Sequence, residues 1–384
     1  MLSFHEVNGL HKQRFGCDGN AYQAPGRVNL IGEHTDTSEG FVVPAALDFQ
    51  TIAVLSPRAD KTAVIHSINF EETISVDLQQ LPERPRQHWS DYPIGVLWAL
   101  QQHGVCCAGF DLTLSGNVPV GAGLSSSASV EVAVAIAVLD HAAVELPGPE
   151  IAQLCQKAEN KFVGAQCGIM DQFISCCGKQ DHALLLDCRT LQYELLPVPP
   201  SVRLVICNSM VKHSVAQGEY NSRRAEVAQG VQILQRHRPK IRTLRDATEE
   251  DVLQCAKEMP EGVLRRCRHV TSENRRVMEA ADAMRKDDLA RFGELMFLAH
   301  ASMRDDYQAS CAETDILVGL AKQQPGCYGA RITGAGFGGC TVNLVAAEQA
   351  TGFVRSMQAA YQQATGIQAE MYVGRASNGA GALQ

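Results

Sequence analysis

The sequence has no Cys-x-x-Cys pair, although it contains 14 cysteines among its 384 residues. Zinc sites and dithiol redox sites commonly use that spacing, and the adjacent pairs Cys106-Cys107 and Cys176-Cys177 are poor chelators. Other cysteines stand in apolar surroundings, such as Cys207 after Val205 and Ile206, where a thiol acts as a small hydrophobe in a reducing compartment. The cysteines therefore argue against both a disulfide scaffold and a zinc protein.

The chain also lacks long apolar runs and an excess of positive charge. Its longest apolar stretch, residues 130–139, contains Glu131 and is too short to span a bilayer. The N-terminus does not show the basic segment and apolar run of a signal peptide. The formal net charge of -8 disfavours a polyanionic partner, and the basic run at 265–268 has acidic neighbours in helix-patterned sequence. We therefore expect a cytoplasmic protein that binds neither nucleic acid nor membrane.

What the sequence does contain is typical of a soluble enzyme with two domains. Apolar residues make up 45% and charged residues 20%, and 384 residues exceed what one core usually supports. The first half is predicted as short strands, including 50–56 and 108–116, with a few helices. A Pro-rich break at 197–200 marks the predicted boundary between a domain at 1–200 and a domain at 201–384.

The second half is predicted as helices followed by a mixed C-terminal segment. The helical stretches lie near 217–237, 248–257, 262–286, 288–304 and 313–323. The end of the chain is predicted as strand 327–333, glycine turn 334–339, strand 340–346, helix 347–364 and strand 369–374. Two antiparallel strands followed by a helix indicate an α/β sandwich of split β-α-β character.

The first of three glycine-rich segments runs from Pro119 to Ser129 and precedes a run at 130–139 that we predict as a buried helix. Glycines let the backbone approach a phosphate closely, and a helix start offers unpaired N–H groups. The serine hydroxyls add donors, and one of them could hold Mg²⁺. The segment is not a Walker A loop, because no Gly-Lys-Ser/Thr follows. A serine-capped helix after a glycine turn explains the same residues without a ligand.

The second segment, Thr333 to Cys340, matches Gly-x-Gly-x-x-Gly. A dinucleotide-binding fold needs a helix after this turn, whereas the following residues 341–345 have the pattern of a strand. The sequence therefore argues against a Rossmann fold. A turn close to a ligand and a purely structural hairpin both remain open.

The third segment, Ala24 to Asp36, holds a cation, an imidazole and two carboxylates between apolar residues. Such acceptors suit a polyhydroxylated ligand, because each hydroxyl can donate to one of them. A solvated turn is the plain alternative. A metal pair at Glu33 and His34 is the weakest option, since the segment has one histidine and no His-Glu-x-x-His spacing.

Together these segments resemble the GHMP kinase superfamily and, within it, the galactokinases. Residues 26–36 resemble the galactokinase signature, 121–129 the family's phosphate loop, and 333–340 its third, glycine-rich motif. Gly168-Ile169-Met170-Asp171-Gln172-Phe173 resembles the segment that bears the family's catalytic aspartate. The similarity runs in the family's order over nearly the whole chain, and the first motif with Gly-Ile-Met-Asp-Gln is what selects the galactokinases.

The resemblance implies a two-domain α+β GHMP kinase fold. An N-terminal ribosomal-protein-S5-domain-2-like α/β domain and a C-terminal ferredoxin-like α/β sandwich would enclose the active site in a cleft. It also implies transfer of the γ-phosphoryl group of ATP, with Mg²⁺ as cofactor, to the C1 hydroxyl of galactose, the first committed step of galactose catabolism. We expect a monomer, with a weak homodimer as the alternative.

The resemblance assigns roles to single residues. Arg27 would offset charge at the transferred phosphoryl group, and Asp171 would accept the proton of the anomeric hydroxyl. Galactose would contact Arg27, Glu33, His34, Thr35, Asp36, the Gly168 backbone, Asp171 and Tyr220. The ATP phosphates would contact Gly121, Ala122, Gly123, Leu124, Ser125, Ser126 and Ser127, and Mg²⁺ would be held by Ser127 and Glu159.

Each of these residues also has a plain explanation. Asp171 could be a helix-start carboxylate, Glu159 a solvated helix residue and Tyr220 a half-buried aromatic. The charge of Arg27 would also weaken Asp171 as a base, so that Asp171 could orient the hydroxyl and take the proton late.

The sequence departs from the galactokinase pattern at Thr37, where a tyrosine is common, and at Ala335, where a glycine is usual. The first departure puts the rim of the sugar pocket in doubt. Alternatives on the same scaffold are kinases of N-acetylgalactosamine, arabinose, mevalonate or homoserine, and a sensor that binds galactose and ATP without turnover is the alternative from another class.

Overall fold

Three β-sheets organise the chain in the computed structural model, which describes residues 2–119, 122–212 and 216–383. The strands are β1 (Asn20–Asn29), β2 (Phe41–Val42), β3 (Pro44–Pro57), β4 (Thr62–Ser67), β5 (Glu72–Asp77), β6 (Phe110–Gly116), β7 (His182–Asp187), β8 (Tyr193–Pro197), β9 (Val202–Lys212), β10 (Cys327–Thr333), β11 (Gly338–Ala346), β12 (Glu370–Gly374) and β13 (Gly381–Leu383). The helices are α1 (Phe4–Phe15), α2 (Asp91–Gln102), α3 (Ser126–His141), α4 (Gly148–Lys157), α5 (Met170–Cys177), α6 (Ala216–His237), α7 (Glu249–Gln254), α8 (Glu261–Arg285), α9 (Leu289–Ser302), α10 (Ala312–Ala321) and α11 (Ala350–Thr365).

The first sheet has six strands in the order β13-β1-β3-β6-β4-β5. Neighbouring strands are antiparallel except β4 and β6, which pair in parallel. Helix α3 packs on one face of this sheet through small apolar residues, and Val132 to Ala135 are fully buried. The alternating run at 130–139 is thus a helix, as predicted, because alanines and valines fill the narrow space between sheet and helices.

The second sheet has four antiparallel strands in the order β10-β11-β9-β12. Its chain order, a strand, helices, two strands, a helix and a strand, is the split β-α-β sandwich that the C-terminal pattern predicted. Helices α10 and α11 pack on one face, and α8 and α9 pack on the other side with residues of β9 and β11. The five predicted helical stretches of this half are confirmed, with shifts of a few residues at their ends.

Helices α1, α2, α4 and α5 did not stand out in the sequence pattern. Helix α1 begins with a capping box, in which Ser3 and Glu6 satisfy each other's backbone N–H groups. A third sheet, β2-β7-β8, contacts the first through strands β7 and β3. No helix in the described part of the chain is both long enough and apolar enough to cross a bilayer.

The two larger sheets share one core. One buried cluster joins the two sheets. It contains Val28 of β1, Leu30 just after β1, Leu204 of β9, Val277 of α8 and Phe292 of α9. The predicted boundary near residue 200 falls in the turn between β8 and β9, while β13 returns to pair with β1. This shared core holds the two glycine-rich turns and the start of α3 against one another.

Candidate active site

A cavity of about 330 Å³ opens where the end of β1, the start of α5, helix α6 and the β10–β11 turn meet. Its walls come from both halves of the chain, so the predicted cleft between them is present. The lining residues are Arg27, Glu33, His34, Asp36, Ala165, Gln166, Cys167, Gly168, Met170, Asp171, Tyr220, Asn221, Gly334 and Ala335.

An ion pair between Arg27 and Asp171 forms one wall of the cavity. Arg27 Nε donates to Asp171 Oδ1 and Nη2 donates to Oδ2, each at 2.7 Å, so the pair is bidentate. The third nitrogen, Nη1, donates to the carbonyl of Gly123 at 2.6 Å. Burial opposes the charge of Arg27, but Asp171 and Glu33 outweigh it and raise the pKa of Arg27. The guanidinium therefore remains a fixed cation between the sugar segment and the glycine loop.

Ser125 supplies a second donor to Asp171. The residue has a positive φ of 60°, and its hydroxyl donates to Asp171 Oδ2. The sequence predicted that these serines cap α3, and for Ser125 this is wrong, because its side chain makes no cap hydrogen bond. With this left-handed backbone the hydroxyl bonds directly to the carboxylate of Asp171 and not to an N–H of the helix.

The predicted phosphate loop contacts the third motif. Gly121 lies outside the described residues, and the side chains of Ala122 and Leu124 are buried in the core, so only their backbone can face a ligand. A Cβ placed on Gly334 would lie 2.9 Å from the carbonyl oxygen of Gly123. The two glycine segments therefore pack backbone to backbone, three residues before α3 begins at Ser126.

Glu159 lies in a π-helical turn, residues Ala158–Val163, and is 7% exposed. Its Oε2 accepts from Gln172 Nε2 at 2.5 Å and from the Cys167 thiol at 3.3 Å. Burial raises its pKa, against the hydrogen bonds of Cys167 and Gln172 and a smaller effect of the nearby Ser127 hydroxyl. Ser127, in the first turn of α3, is therefore close to Glu159.

Glu131 is a buried carboxylate that the sequence analysis did not single out. It is fully enclosed in α3, accepts from Gln172 Nε2 at 3.0 Å, and burial raises its pKa well above the ordinary range. In the parts of the chain that the structure describes, no three His, Cys, Asp or Glu side chains form a group that could hold a metal ion. A cation here would need oxygens from a ligand as well.

Glu33 connects the sugar segment to the third motif. Its Oε1 accepts from the backbone N–H of Gly334 at 2.8 Å, and its Oε2 accepts from Asn29 Nδ2 at 3.1 Å. Burial raises the pKa of this carboxyl, and the charges of Arg331 and Arg27 oppose that effect. The carboxylate is therefore held in one orientation at the cavity wall.

His34 has a φ of 61° and stacks on Tyr307, with ring centroids 4.2 Å apart. Burial lowers the pKa of His34 to about 3, so the imidazole is neutral at ordinary pH. Its Nε2 has no hydrogen-bond partner among the described residues. Tyr307 carried no sequence signal, and it is this stacking that fixes the orientation of the ring.

Asp36 and Gly168 are in direct contact. A Cβ on Gly168 would lie 1.9 Å from Asp36 Oδ2, so no side chain fits at residue 168 while Asp36 keeps this position. Asp36 Oδ1 accepts from the Thr37 N–H at 2.8 Å. Burial, with the nearby charge of Asp171, raises the pKa of Asp36 to about 6.

Thr35 does not line the cavity. It is fully buried, and its hydroxyl donates to the carbonyls of Gly32 at 2.9 Å and Phe41 at 2.6 Å. The structure therefore does not bring Thr35 to the cavity with its neighbours, because the hydroxyl ties the turn that carries Glu33 and Asp36.

Tyr220 lines the cavity from α6, together with its neighbour Asn221. The loop opposite is clamped by hydrogen bonds that the sequence did not predict. Asn160 donates to the carbonyl of Cys167 at 3.1 Å and accepts from its N–H at 2.8 Å, and Arg224 donates to the carbonyl of Gln166 at 2.9 Å. An asparagine in a helical pattern does not indicate such a role, so these hydrogen bonds of Asn160 could not be predicted from the sequence.

A second, largely apolar cavity of about 190 Å³ lies beside the start of α3. Ser126 and Ser127 are among its lining residues, together with the aromatic side chains of Phe70, Trp89 and Tyr92. The rings of Phe70 and Trp89 stack with centroids 5.7 Å apart. The aromatic residues are far from the motifs in sequence, which is why the sequence analysis missed them.

The two departures from the family pattern differ in position. Ala335 lines the cavity without a positive φ, so alanine fits there without backbone strain. Thr37 does not line the cavity.

Three family models match this chain. One described as "Galactokinase galactose-binding signature" matches residues 9–57, "GHMP kinases N terminal domain" matches 91–179, and "GHMP kinases C terminal" matches 280–363. The curated galactokinase of Roseiflexus sp. is 45% identical over 382 residues, which cover 99% of this chain and 97% of the relative. The galactokinase of Chloroflexus aurantiacus is 44% identical over 344 residues, which cover 90% of this chain and 88% of the relative.

Solved structures agree with these matches. The crystal structure of Lactococcus lactis galactokinase complexed with galactose has a TM-score of 0.95 and 34% identity, and the alignment covers 99% of this chain and 100% of that chain. Methanococcus jannaschii mevalonate kinase has a TM-score of 0.66 at 17% identity, with coverage of 94% and 99%, and shows only that the fold is shared.

Proposed function

The chain belongs to the galactokinase family of the GHMP kinases, and from this membership we propose how its active site works. It is an ATP-dependent sugar kinase that phosphorylates galactose. We place the reaction at the C1 hydroxyl of α-D-galactose, with galactose 1-phosphate and ADP as products. The observation that carries the proposal is the Arg27–Asp171 ion pair at the junction of the polar cavity and the glycine loop.

Galactose occupies the polar cavity in this proposal. The carboxylates of Glu33 and Asp36 accept hydrogen bonds from sugar hydroxyls. The neutral imidazole of His34 and the hydroxyl of Tyr220 can each donate or accept one. The position of these groups along the cavity wall supports the assignment. Gly168 lines the cavity and has no side chain, so it can offer galactose only its backbone.

ATP binds on the other side of the ion pair. The backbone from Ala122 to Ser127 and the start of α3 provide N–H groups for the phosphates. The apolar cavity beside Ser126 and Ser127 suits a flat aromatic base, because Trp89 and Tyr92 offer ring surfaces. The reacting groups of both substrates then meet at Arg27.

Mg²⁺ is proposed to bind Ser127 and Glu159. A hydroxyl and one carboxylate fit an ion that takes its remaining oxygens from phosphates and water, and a bound cation would offset the penalty that burial places on the charged form of Glu159. When bound, the ion would neutralise phosphate charge during transfer.

Asp171 receives the hydroxyl proton in this mechanism. The C1 oxygen attacks the γ-phosphorus, the bond to the β-phosphate oxygen breaks, and the C1 hydroxyl proton ends on Asp171. Because Arg27 and Ser125 already donate to this carboxylate, we infer that it orients the hydroxyl first and accepts the proton late. Arg27 offsets the charge that develops on the transferred group.

A substrate panel tests the function directly. Galactose, N-acetylgalactosamine, arabinose, mevalonate and homoserine are each incubated with ATP and Mg²⁺, and ADP release and the phosphorylated carbon are measured. We expect galactose to react at C1 and to be preferred. Product from another substrate but none from galactose would exclude the galactose assignment, and binding of galactose and ATP without any product would indicate a sensor.

Three further assignments complete the proposal. The enzyme works in the cytoplasm, as a monomer, with residues 1–200 and 201–384 as its two domains. Free cysteines buried in apolar surroundings, such as Cys155, Cys207 and Cys340, support a reducing compartment.

A further inference from the structure

Arg331, in β10, is the largest side chain that the core encloses completely. Its Nη1 makes one hydrogen bond, to the carbonyl of Asn29 at 3.3 Å, whereas Nε and Nη2 have no partner among the described residues. Two carboxylates neutralise its charge from outside hydrogen-bond distance, Glu33 at 3.6 Å and Glu273 at 3.8 Å. The guanidinium thus lies in the core with most of its donors unused.

Such a burial does not favour folding. Removing an arginine from water costs several kcal/mol, and buried ion pairs can often be replaced by apolar residues of similar volume with no loss of stability. A methionine would fill much of the same space. The question is therefore what the positive charge does at this position.

The two carboxylates differ in how much they depend on Arg331. Glu273 already has Arg276 Nε at 2.7 Å and the Gly32 N–H at 2.9 Å. Glu33 has only neutral donors, from Gly334 and Asn29, at hydrogen-bond distance. Of the two arginines whose charge lowers the pKa of Glu33, Arg331 has the larger effect and Arg27 the smaller. Glu33 is thus the carboxylate that depends more on Arg331 for a compensating positive charge.

We propose that Arg331 is a positioning residue for galactose binding, which holds Glu33 as a fixed anionic acceptor although Arg331 does not itself line the cavity. The inference rests on the proposed contact of Glu33 with galactose. Arg331 lies next to the third motif in sequence, two residues before Thr333, so β10 fixes it relative to Gly334. The segment around the third motif then orients Glu33 in two ways, through the charge of Arg331 and through the backbone N–H of Gly334.

The test measures galactose affinity and turnover separately in Arg331→Met, Arg331→Lys, Glu33→Gln and the double variant Glu33→Gln/Arg331→Met. Galactose affinity is measured by calorimetry without nucleotide, and kcat is measured at saturating galactose and ATP. We expect Arg331→Met to raise the galactose Kd ~tenfold or more while kcat and the KM for ATP change less than about threefold. Arg331→Lys should restore most of the affinity, because it keeps the charge.

The double variant separates positioning from general damage. If Arg331 acts through Glu33, its removal costs little once Glu33 is neutral, so the two losses are far from additive. Arg331→Gln serves as a second uncharged variant if Arg331→Met does not fold. Arg58→Met, which breaks a surface pair with Asp60 and Asp111, is the control and should leave the Kd unchanged.

Three results would overturn the inference: a galactose Kd within about twofold of wild type in the uncharged variants, a loss in Arg331→Lys as large as in Arg331→Met, or additive losses in the double variant. If Glu33→Gln binds galactose normally, the proposed contact of Glu33 fails as well. If Glu33→Gln weakens binding and Arg331→Met does not, only the positioning role is lost.

Discussion

The Arg27–Asp171 pair makes a sharp prediction at the scale of single residues. In Asp171→Asn the ion pair and the proton acceptor are lost, while the galactose contacts on Glu33, His34 and Asp36 remain. We expect kcat to fall by ~10²- to 10⁴-fold and the galactose Kd to change by less than about fivefold. Turnover is followed by ADP release and affinity by calorimetry.

Asp187→Asn is the control for this change. Asp187 also loses a bidentate pair, with Arg245 at 2.8 and 3.1 Å, but it does not line the cavity. It should keep its turnover. Turnover of Asp171→Asn within a few-fold of wild type would remove the proton-accepting role.

The raised pKa of Asp36, about 6, predicts a pH dependence for galactose. A protonated Asp36 is a poorer acceptor, and one pH unit below its pKa only about a tenth of the carboxyl groups are ionised. We expect kcat/KM for galactose to fall nearly tenfold per unit below pH 6. In Asp36→Asn, kcat/KM for galactose should be lower than in the wild type and independent of pH between pH 5 and 7. If kcat/KM of this variant still falls with decreasing pH, the titration belongs to another group.

The same shift has a defined sign for stability. The native state binds this proton more tightly than the unfolded chain, whose carboxyl has its ordinary value of 3.8. The contribution of Asp36 to the free energy of unfolding is therefore greatest below that value and declines as the pH rises from 3.8 to about 6.

Gly168 gives a steric prediction. A methyl at residue 168 would collide with Asp36 Oδ2, so Gly168→Ala must displace a sugar contact. We expect the galactose KM to rise ~tenfold or more. Gly352→Ala, where an added Cβ meets nothing within 4 Å, is the control, and it should leave both KM and kcat unchanged. Normal galactose kinetics in Gly168→Ala would show that Asp36 is not a sugar contact.

At the scale of elements, the junction of α3 with the π-helical turn 158–163 predicts a metal effect. Glu159→Gln removes the proposed anionic ligand, so the Mg²⁺ concentration for half-maximal activity should rise ~tenfold, while galactose affinity without nucleotide stays the same. Direct binding of Mn²⁺ in the presence of ADP provides a readout apart from turnover. Glu131→Gln, which replaces the adjacent buried carboxyl group with an amide of the same size, should change metal binding much less. Equal effects of the two variants would contradict the assignment to Glu159.

Helices and strands could be predicted from the sequence where the residue types and the flanking turn residues indicated one kind of element. The helix at α3 was predictable because its alanines and serines outweighed an alternating pattern, and the β10–β11 hairpin was predictable because a glycine turn separated two β-rich runs. The left-handed backbone of Ser125 could not be predicted. It depends on the position of Asp171, 46 residues later in the chain, so local propensity favoured a cap that the fold does not use.

At the scale of the whole molecule, the site is made by contacts between distant segments. Glu33 reaches Gly334, and Gly123 packs on Gly334, so the sugar motif, the phosphate loop and the third motif share one junction. The family resemblance predicted which residues would gather there, whereas reasoning from the residues alone left a sugar ligand and a phosphate ligand open beside a solvated turn and a capped helix. Arg331, Tyr307 and the aromatic cavity of Trp89 and Tyr92 became recognisable only from the fold, because nothing adjacent in sequence indicates their role.

The structure of the complex with galactose, Mg²⁺ and a non-hydrolysable ATP analogue tests the central claim most directly. We predict the C1 hydroxyl within hydrogen-bond distance of Asp171, the terminal phosphate of the analogue beside Arg27, and the triphosphate along residues 122–127. A triphosphate bound elsewhere, or a sugar whose C1 points away from Asp171, would contradict the account.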